Sequence, residues 1–148
     1  MSAARKAVAG PASAGRRGRP KPAPQATAHA ADGRDVPPAA GPGLRALAAM
    51  RCRPGAARLD AEALAGHLRD LPGWVLGADG IAKSFRFAGW QETIAFVNAV
   101  AWIAHRDDHH PDLVVGYDRC RVAWSTHDAA GVTLNDCICA AGVECLVA

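Results

Sequence analysis

Hydrophobic spacing divides the chain into two parts that differ in kind. From about residue 57 onward, apolar positions recur with regular periods. LDAEALAGHLRDLPGW places Leu64, Leu68 and Leu71 on one helical stripe, with Asp60 as its N-cap and Pro72-Gly73 as its stop. WVLGADGIAKSFRF then gives two short runs about Gly77-Ala78-Asp79-Gly80, the second alternating Ile81, Lys83, Phe85 and Phe87 with Ala82, Ser84 and Arg86. That period of two predicts a hairpin. From Trp90 to about Arg106 the positions Trp90, Ile94, Val97, Ala101 and Ala104 follow helical spacing, widened by Phe96, Val100 and Ile103. LVVGYDRCRVAWST predicts a second hairpin turning near Asp118-Arg119, with Val122 and Trp124 on one face. Thr133 then caps a last helix with Leu134, Cys137, Ile138, Ala141 and Cys145 inward.

The order α-β-β-α-β-β-α, with hairpins joining neighbouring strands, predicts an α+β fold: a four-stranded antiparallel sheet with three helices packed on one face. Residues 57–148 form that domain. Residues 1–56 show no such period. Ala, Pro, Gly and Arg dominate them, and no aromatic residue precedes Trp74. A segment of this composition cannot bury enough apolar surface to offset its ordering entropy, so it is expected to be a disordered basic extension.

Charge sharpens the division. Residues 1–53 carry ten Lys or Arg against two Asp, whereas residues 54–148 carry seven against twelve acidic side chains. The basic character therefore belongs to the extension. Its run RRGRPKP can hold phosphates non-specifically but lacks the interleaved aromatics of a single-strand binder, so no specific nucleic-acid partner is expected. Its prolines break any amphipathic targeting helix, and it has no apolar stretch of the secretory kind. No window reaches the roughly 18 apolar residues of a membrane span, and no membrane partner is expected. Five cysteines, an odd number without C-x-x-C spacing, fit the reduced thiols of a cytoplasmic protein.

The chemistry concentrates in HRDDHHPD, which holds three of the six histidines between His105 and Asp112. Pro111 forces His110 out of the helical region, so the helix is expected to end at or before His110 and to leave His109 and His110 at a helix-to-strand junction. Helix carbonyls and the carboxylates of Asp107 and Asp108 favour a protonated imidazole there, a proton donor near neutral pH. Ser125-Thr126-His127 follows the last strand and is expected at the same end of the sheet, with Asp136 in the first turn of the next helix. Other readings stand beside this one. His105 and His109, spaced i, i+4, form a chelating pair that Asp108 or His127 could complete as a His/Asp metal site. Asp136 also fits the N3 position of a capping box with Thr133.

IAKSFRF, a helix, H-x-x-x-HHPD and RVAWSTHDAAGVTLND together resemble the pterin-4a-carbinolamine dehydratases, also known as dimerisation cofactors of homeodomain transcription factors. The resemblance spans about residues 58–148. It implies a hydro-lyase, a 4a-hydroxytetrahydrobiopterin dehydratase that eliminates water from 4a-hydroxytetrahydropterin to give quinonoid dihydropterin, with neither metal nor other cofactor. It further implies His109 and His127 as alternative general acids on the two faces of a pterin substrate, with His110 positioning it and assisting proton transfer. Asp108, Pro111, Ser125, Thr126 and Asp136 would line or support the substrate site, and Trp74 would wall it. A homodimer or homotetramer and a link to an aromatic amino acid hydroxylase are implied as partners. The same family fold also serves as a non-catalytic interaction module, a transcriptional coactivator. His105 stands where relatives often carry an acidic residue, and Leu113 where many carry Trp.

Overall fold

The computed structural model describes residues 42–148; what the sequence suggests for residues 1–41 lies outside the described residues. The elements are α1 (Pro42–Ala48), α2 (Ala61–Arg69), β1 (Val75–Gly77), β2 (Gly80–Arg86), α3 (Trp90–Asp107), β3 (Asp112–Val115), β4 (Arg119–Trp124), a single 3-10 turn at His127–Ala129, and α4 (Leu134–Val147). The four strands form one antiparallel sheet in the order β1-β2-β4-β3. The β2–α3–β3 connection thus skips one strand position, which β4 fills. The α+β sheet-and-helix architecture expected from the pattern is present.

Register explains the sheet's two faces. Ile81 pairs with Trp124, Lys83 with Val122 and Phe85 with Cys120, and five of these six side chains are buried beneath the helices. The alternate pairs, Ser84 with Arg121 and Arg86 with Arg119, form a polar outer face. Gly80 turns the first hairpin at φ 97°, and a Cβ there would collide with the Trp124 carbonyl oxygen. Only glycine fits that close approach.

The helices begin where their capping residues stand. Asp60 accepts the Ala63 N–H at 2.8 Å at the head of α2, and Thr133 with Asp136 closes a capping box at the head of α4. α4 is buried from Asn135 to Val143 apart from Gly142, so it is the central helix rather than a surface one. Cys145, expected inward, lies exposed past the buried stretch. In α3 the buried stripe is Thr93, Phe96, Val100, Ile103 and Ala104. Trp90 and Ala101, also on the wide apolar stripe read from the sequence, face solvent.

The expected boundary at residue 56 needs correction. Residues 42–48 form α1, whose Leu44 and Leu47 are buried against the core. The following loop is held to α4 by two hydrogen bonds: Arg53 N–H donates to Asn135 Oδ1 at 3.0 Å, and Asn135 Nδ2 donates to the Arg53 carbonyl at 2.9 Å. Two leucines suffice because α4 supplies a surface for them, and no local period announces such a surface.

Candidate active site

The site is assembled at the end of α3. Asp108 adopts the left-handed conformation (φ 47°, ψ 41°), and its N–H returns to the carbonyls of Ala104 and His105. His109 N–H then bonds to the Ala104 carbonyl at 3.1 Å. This is a Schellman closure with aspartate in the place usually held by glycine. It ends the helix at Asp107 and folds His109 back over the last turn, so the imidazole points into the protein. The proline rule placed this end within a few residues, and the left-handed Asp108 sets it.

Asp136 awaits that imidazole from the first turn of α4. Its carboxylate is fully buried. Oδ2 accepts the Thr133 N–H at 2.7 Å and the Thr126 hydroxyl at 2.9 Å, and the two threonine hydroxyls lie 2.8 Å apart. Oδ1 accepts from His109 Nε2 at 2.7 Å. Asp136 is therefore at once the capping residue that the Thr133 spacing predicts and the hydrogen-bond partner of His109. The His109 ring stacks on Trp124, with centroids 5.4 Å apart and planes 20° from parallel. Among the described residues nothing accepts from the buried Trp124 indole N–H, a cost of about 1–3 kcal/mol.

Opposing effects act on His109. Burial disfavours the imidazolium, while the hydrogen bond to Asp136, that carboxylate's charge and smaller contributions from Cys52 and Asp107 favour it. The balance holds its pKa above the ordinary 6.5. Because Nε2–H is committed to Asp136, the proton left for exchange is the one on Nδ1.

Two clefts meet at this end of the sheet. The first, about 310 Å³, is lined by His109 with Asp108, Thr126, Asp128, Arg53 and Asn135. The second, about 350 Å³, is lined by His127 with Asp79, Asp112, Ser125, Thr126 and Gly131. Thr126 belongs to both, so His109 and His127 stand on either side of the Thr126 turn. A third cleft between residues 50–57 and α4 carries neither histidine nor carboxylate.

The remaining expected residues divide. His110 and His127 are exposed and Pro111 is half-buried next to His110. Trp74, expected as a wall of the pocket, is instead a core residue. It is 3 % exposed, packs edge-on against Phe85 and donates its indole N–H to Glu144 Oε1 at 2.7 Å. That bond satisfies its only side-chain polar atom, and Trp74 lines neither of the two histidine clefts. His105, the other half of the chelating spacing, is exposed near Trp102. Among the described residues no three His, Cys, Asp or Glu side chains converge to hold a metal. Sequence reasoning missed Arg53 and Asn135 in the cleft wall and Trp124 beneath the imidazole. The adjacency of Trp124 to Ser125-Thr126-His127 was the one available signal.

Residues 57–146 match the model of the family described as pterin 4 alpha carbinolamine dehydratase. A protein of Xanthomonas campestris pv. campestris (strain B100), provisionally named a pterin-4-alpha-carbinolamine dehydratase, is 56 % identical over 86 residues, covering 57 % of this chain and 73 % of its own. A protein of Stenotrophomonas maltophilia (strain K279a) with the same provisional name is 50 % identical over 105 residues, covering 68 % and 90 %. A crystal structure titled transcriptional coactivator/pterin dehydratase from Brucella melitensis superposes with a TM-score of 0.58 at 32 % identity, covering 62 % of this chain and 99 % of that one. The match spans every strand, the buried helix and both histidine clusters: the chain belongs to the pterin 4 alpha carbinolamine dehydratase family.

Proposed function

We propose that this protein dehydrates a 4a-hydroxytetrahydropterin to the quinonoid dihydropterin, with side chains alone moving the protons. Hydroxide is a poor leaving group. An acid must protonate the C4a oxygen while the N5 lone pair expels it, and a base must then take the N5 proton. The observation that carries this reading is the His109–Asp136 pair at a cleft wall. Asp136 keeps the imidazole charged toward neutral pH, and an acid tuned to the working pH is the efficient one.

His127, across Thr126 from His109, would serve the opposite face of the substrate, and exposed His110 would position it. Asp108, Ser125 and Thr126 line the clefts and would contact the pterin. The homodimer or homotetramer that the family resemblance implies would cover Trp90 and Trp102, both left exposed by α3. Light scattering on the purified chain tests that. Among the described residues no helix is long and apolar enough to cross a membrane. A cytoplasmic place beside an aromatic amino acid hydroxylase belongs to the same reading.

The deciding experiment follows both C4a epimers of a freshly generated 4a-hydroxypterin. His109→Ala and His127→Ala should each spare one epimer and slow the other by about 10²- to 10⁴-fold, the worth of a positioned acid, while His110→Ala impairs both. Equal, modest losses for every variant and both epimers would reduce the histidines to pocket shape and overturn the assignment.

A further inference from the structure

Residues 42–56 precede the matched family segment, and one side chain there serves nothing described so far. Cys52 follows α1 and lies against α4. Its Sγ is 3.5 Å from Sγ of Cys139 and 3.6 Å from the Asn135 carbonyl oxygen. All five cysteines are free thiols, but they differ in access: Cys120, Cys137 and Cys139 are buried, Cys145 is exposed and Cys52 is half-buried. Cys52 also lines a cleft of about 390 Å³ with Arg51, Arg106, Asp107 and Asp108. One sulfur of the pair is within reach of a small solute, and the other touches it from behind.

We infer that Cys52 and Cys139 are a peroxide-sensitive dithiol, in which Cys52 attacks a hydroperoxide and Cys139 resolves the product to an intramolecular disulfide. In the first step an S–O bond forms as the peroxide O–O bond breaks, giving Cys52 sulfenic acid and, from hydrogen peroxide, one water. In the second, Cys139 sulfur displaces the sulfenic hydroxyl, forming the S–S bond and releasing a second water. Two electrons and two protons leave the thiols, and one peroxide is reduced to two waters.

Three features support the direction of attack. The hydrogen bond shared with Cys139 holds the Cys52 thiol below its ordinary range, helped by the charge of His109 and opposed by burial, Asp107 and Asp136. The same bond, with burial, pushes the Cys139 thiol up. The thiolate is the nucleophile, so Cys52 reacts first. Bond formation needs an approach of about 1.5 Å, from contact to the usual S–S length of about 2.05 Å, and Cys52 sits on a loop while Cys139 is fixed in a helix. The disulfide would pin residues 51–55, whose Arg53 lines the His109 cleft. It would also remove an ionisable sulfur that favours the His109 imidazolium.

The test uses the full chain carrying Cys145→Ser, which removes the exposed thiol. After treatment with hydrogen peroxide, free thiols are alkylated under denaturing conditions and unreduced peptides are mapped. A linked Cys52–Cys139 peptide is the expected product, and the oxidised protein's His109 imidazole should titrate lower by NMR than the reduced protein's. Adding Cys139→Ser should halt oxidation at a Cys52 sulfenic acid that dimedone traps, and adding Cys52→Ser should leave Cys139 unmodified. The unreduced map needs neither of these further variants, so their misfolding would not rescue the idea. Cys52 and Cys139 both recovered alkylated, Cys139 oxidised without Cys52, or Cys52 passing to sulfinic acid beside a free Cys139 would each overturn the dithiol. An unmoved His109 titration would overturn its link to the site.

Discussion

α4 carries two buried carboxylates eight residues apart, about 12 Å along the axis: Asp136 in its first turn and Glu144 near its end. Each is fully partnered. Glu144 accepts from Lys83 Nζ at 2.7 and 2.9 Å and from the Trp74 indole at 2.7 Å, and Lys83 also reaches the Pro72 carbonyl. Asp136 holds an imidazole, two threonine side chains and a cap N–H. The difference lies in the partner and in what it borders. The ammonium–carboxylate pair ties β2 and the Pro72–Trp74 turn to α4 and lines none of the clefts described above. In the imidazole–carboxylate pair one His109 nitrogen is uncommitted among the described residues and His109 lies in a cleft wall, and imidazoles as a class exchange protons near neutral pH. A buried carboxylate marks a fastening, and it marks chemistry only when its partner can change charge beside a cavity.

The largest effects should therefore come from Asp136. Asp136→Ala removes the acceptor for the Thr133 cap and leaves the His109 N–H buried without one, costing roughly 3 kcal/mol as a lost cap plus orphaned donors. Asp136→Asn keeps the shape and part of the cap but not the charge, so it should cost less stability while losing turnover about as severely as His109→Ala. Urea unfolding and single-turnover dehydration rates measure the two separately. If the Asn variant turned over at the wild-type rate, Asp136 would be a fastening of the Glu144 kind and the contrast would collapse.

Glu144→Gln tests the other side. It strands the Lys83 ammonium, whose side chain is 21 % exposed. Partial solvation softens the usual penalty for breaking a buried pair, leaving about 1–3 kcal/mol. Turnover per folded molecule should not change. A loss of turnover out of proportion to the unfolded fraction would mean that the Trp74–Lys83–Glu144 cluster reaches the site after all, as the sequence resemblance had suggested for Trp74.

That misplacement shows where sequence reading stops. The strands, the three longer helices and the caps at Asp60 and Thr133 were legible because each is written in local period or spacing. The placement of His109 and His127 at one end of the sheet was legible because Pro111 leads into β3, His127 follows β4, and those two strands pair. Trp74 was not, because its indole is claimed by a glutamate 70 residues away. Nor was α1, where Leu44 and Leu47 are buried by α4 rather than by any pattern of their own. Arg53 and Cys52 lie in the loop that follows that helix, where no local period points to a site.

The smallest effect, and the finest test of the contrast, is in pH. His109 is held above its ordinary 6.5 in the folded state. A group whose folded pKa is raised contributes stability that is fully present below the unfolded value and is lost as pH climbs through the folded one. From His109 alone, the domain should weaken on passing from about pH 6.5 upward, and His109→Gln should abolish that slope. Cys52 runs the other way. Its thiol is held below the ordinary 9.0, so its contribution grows with pH up to that value. Urea midpoints are therefore best compared in a Cys52→Ser background. There the chain with His109 should lose stability relative to the His109→Gln chain as pH rises. Parallel curves for the His109 pair would mean that the imidazole carries the same charge folded and unfolded. Asp136 would then hold it as statically as Glu144 holds Lys83, and the proton-donor reading would lose its physical basis.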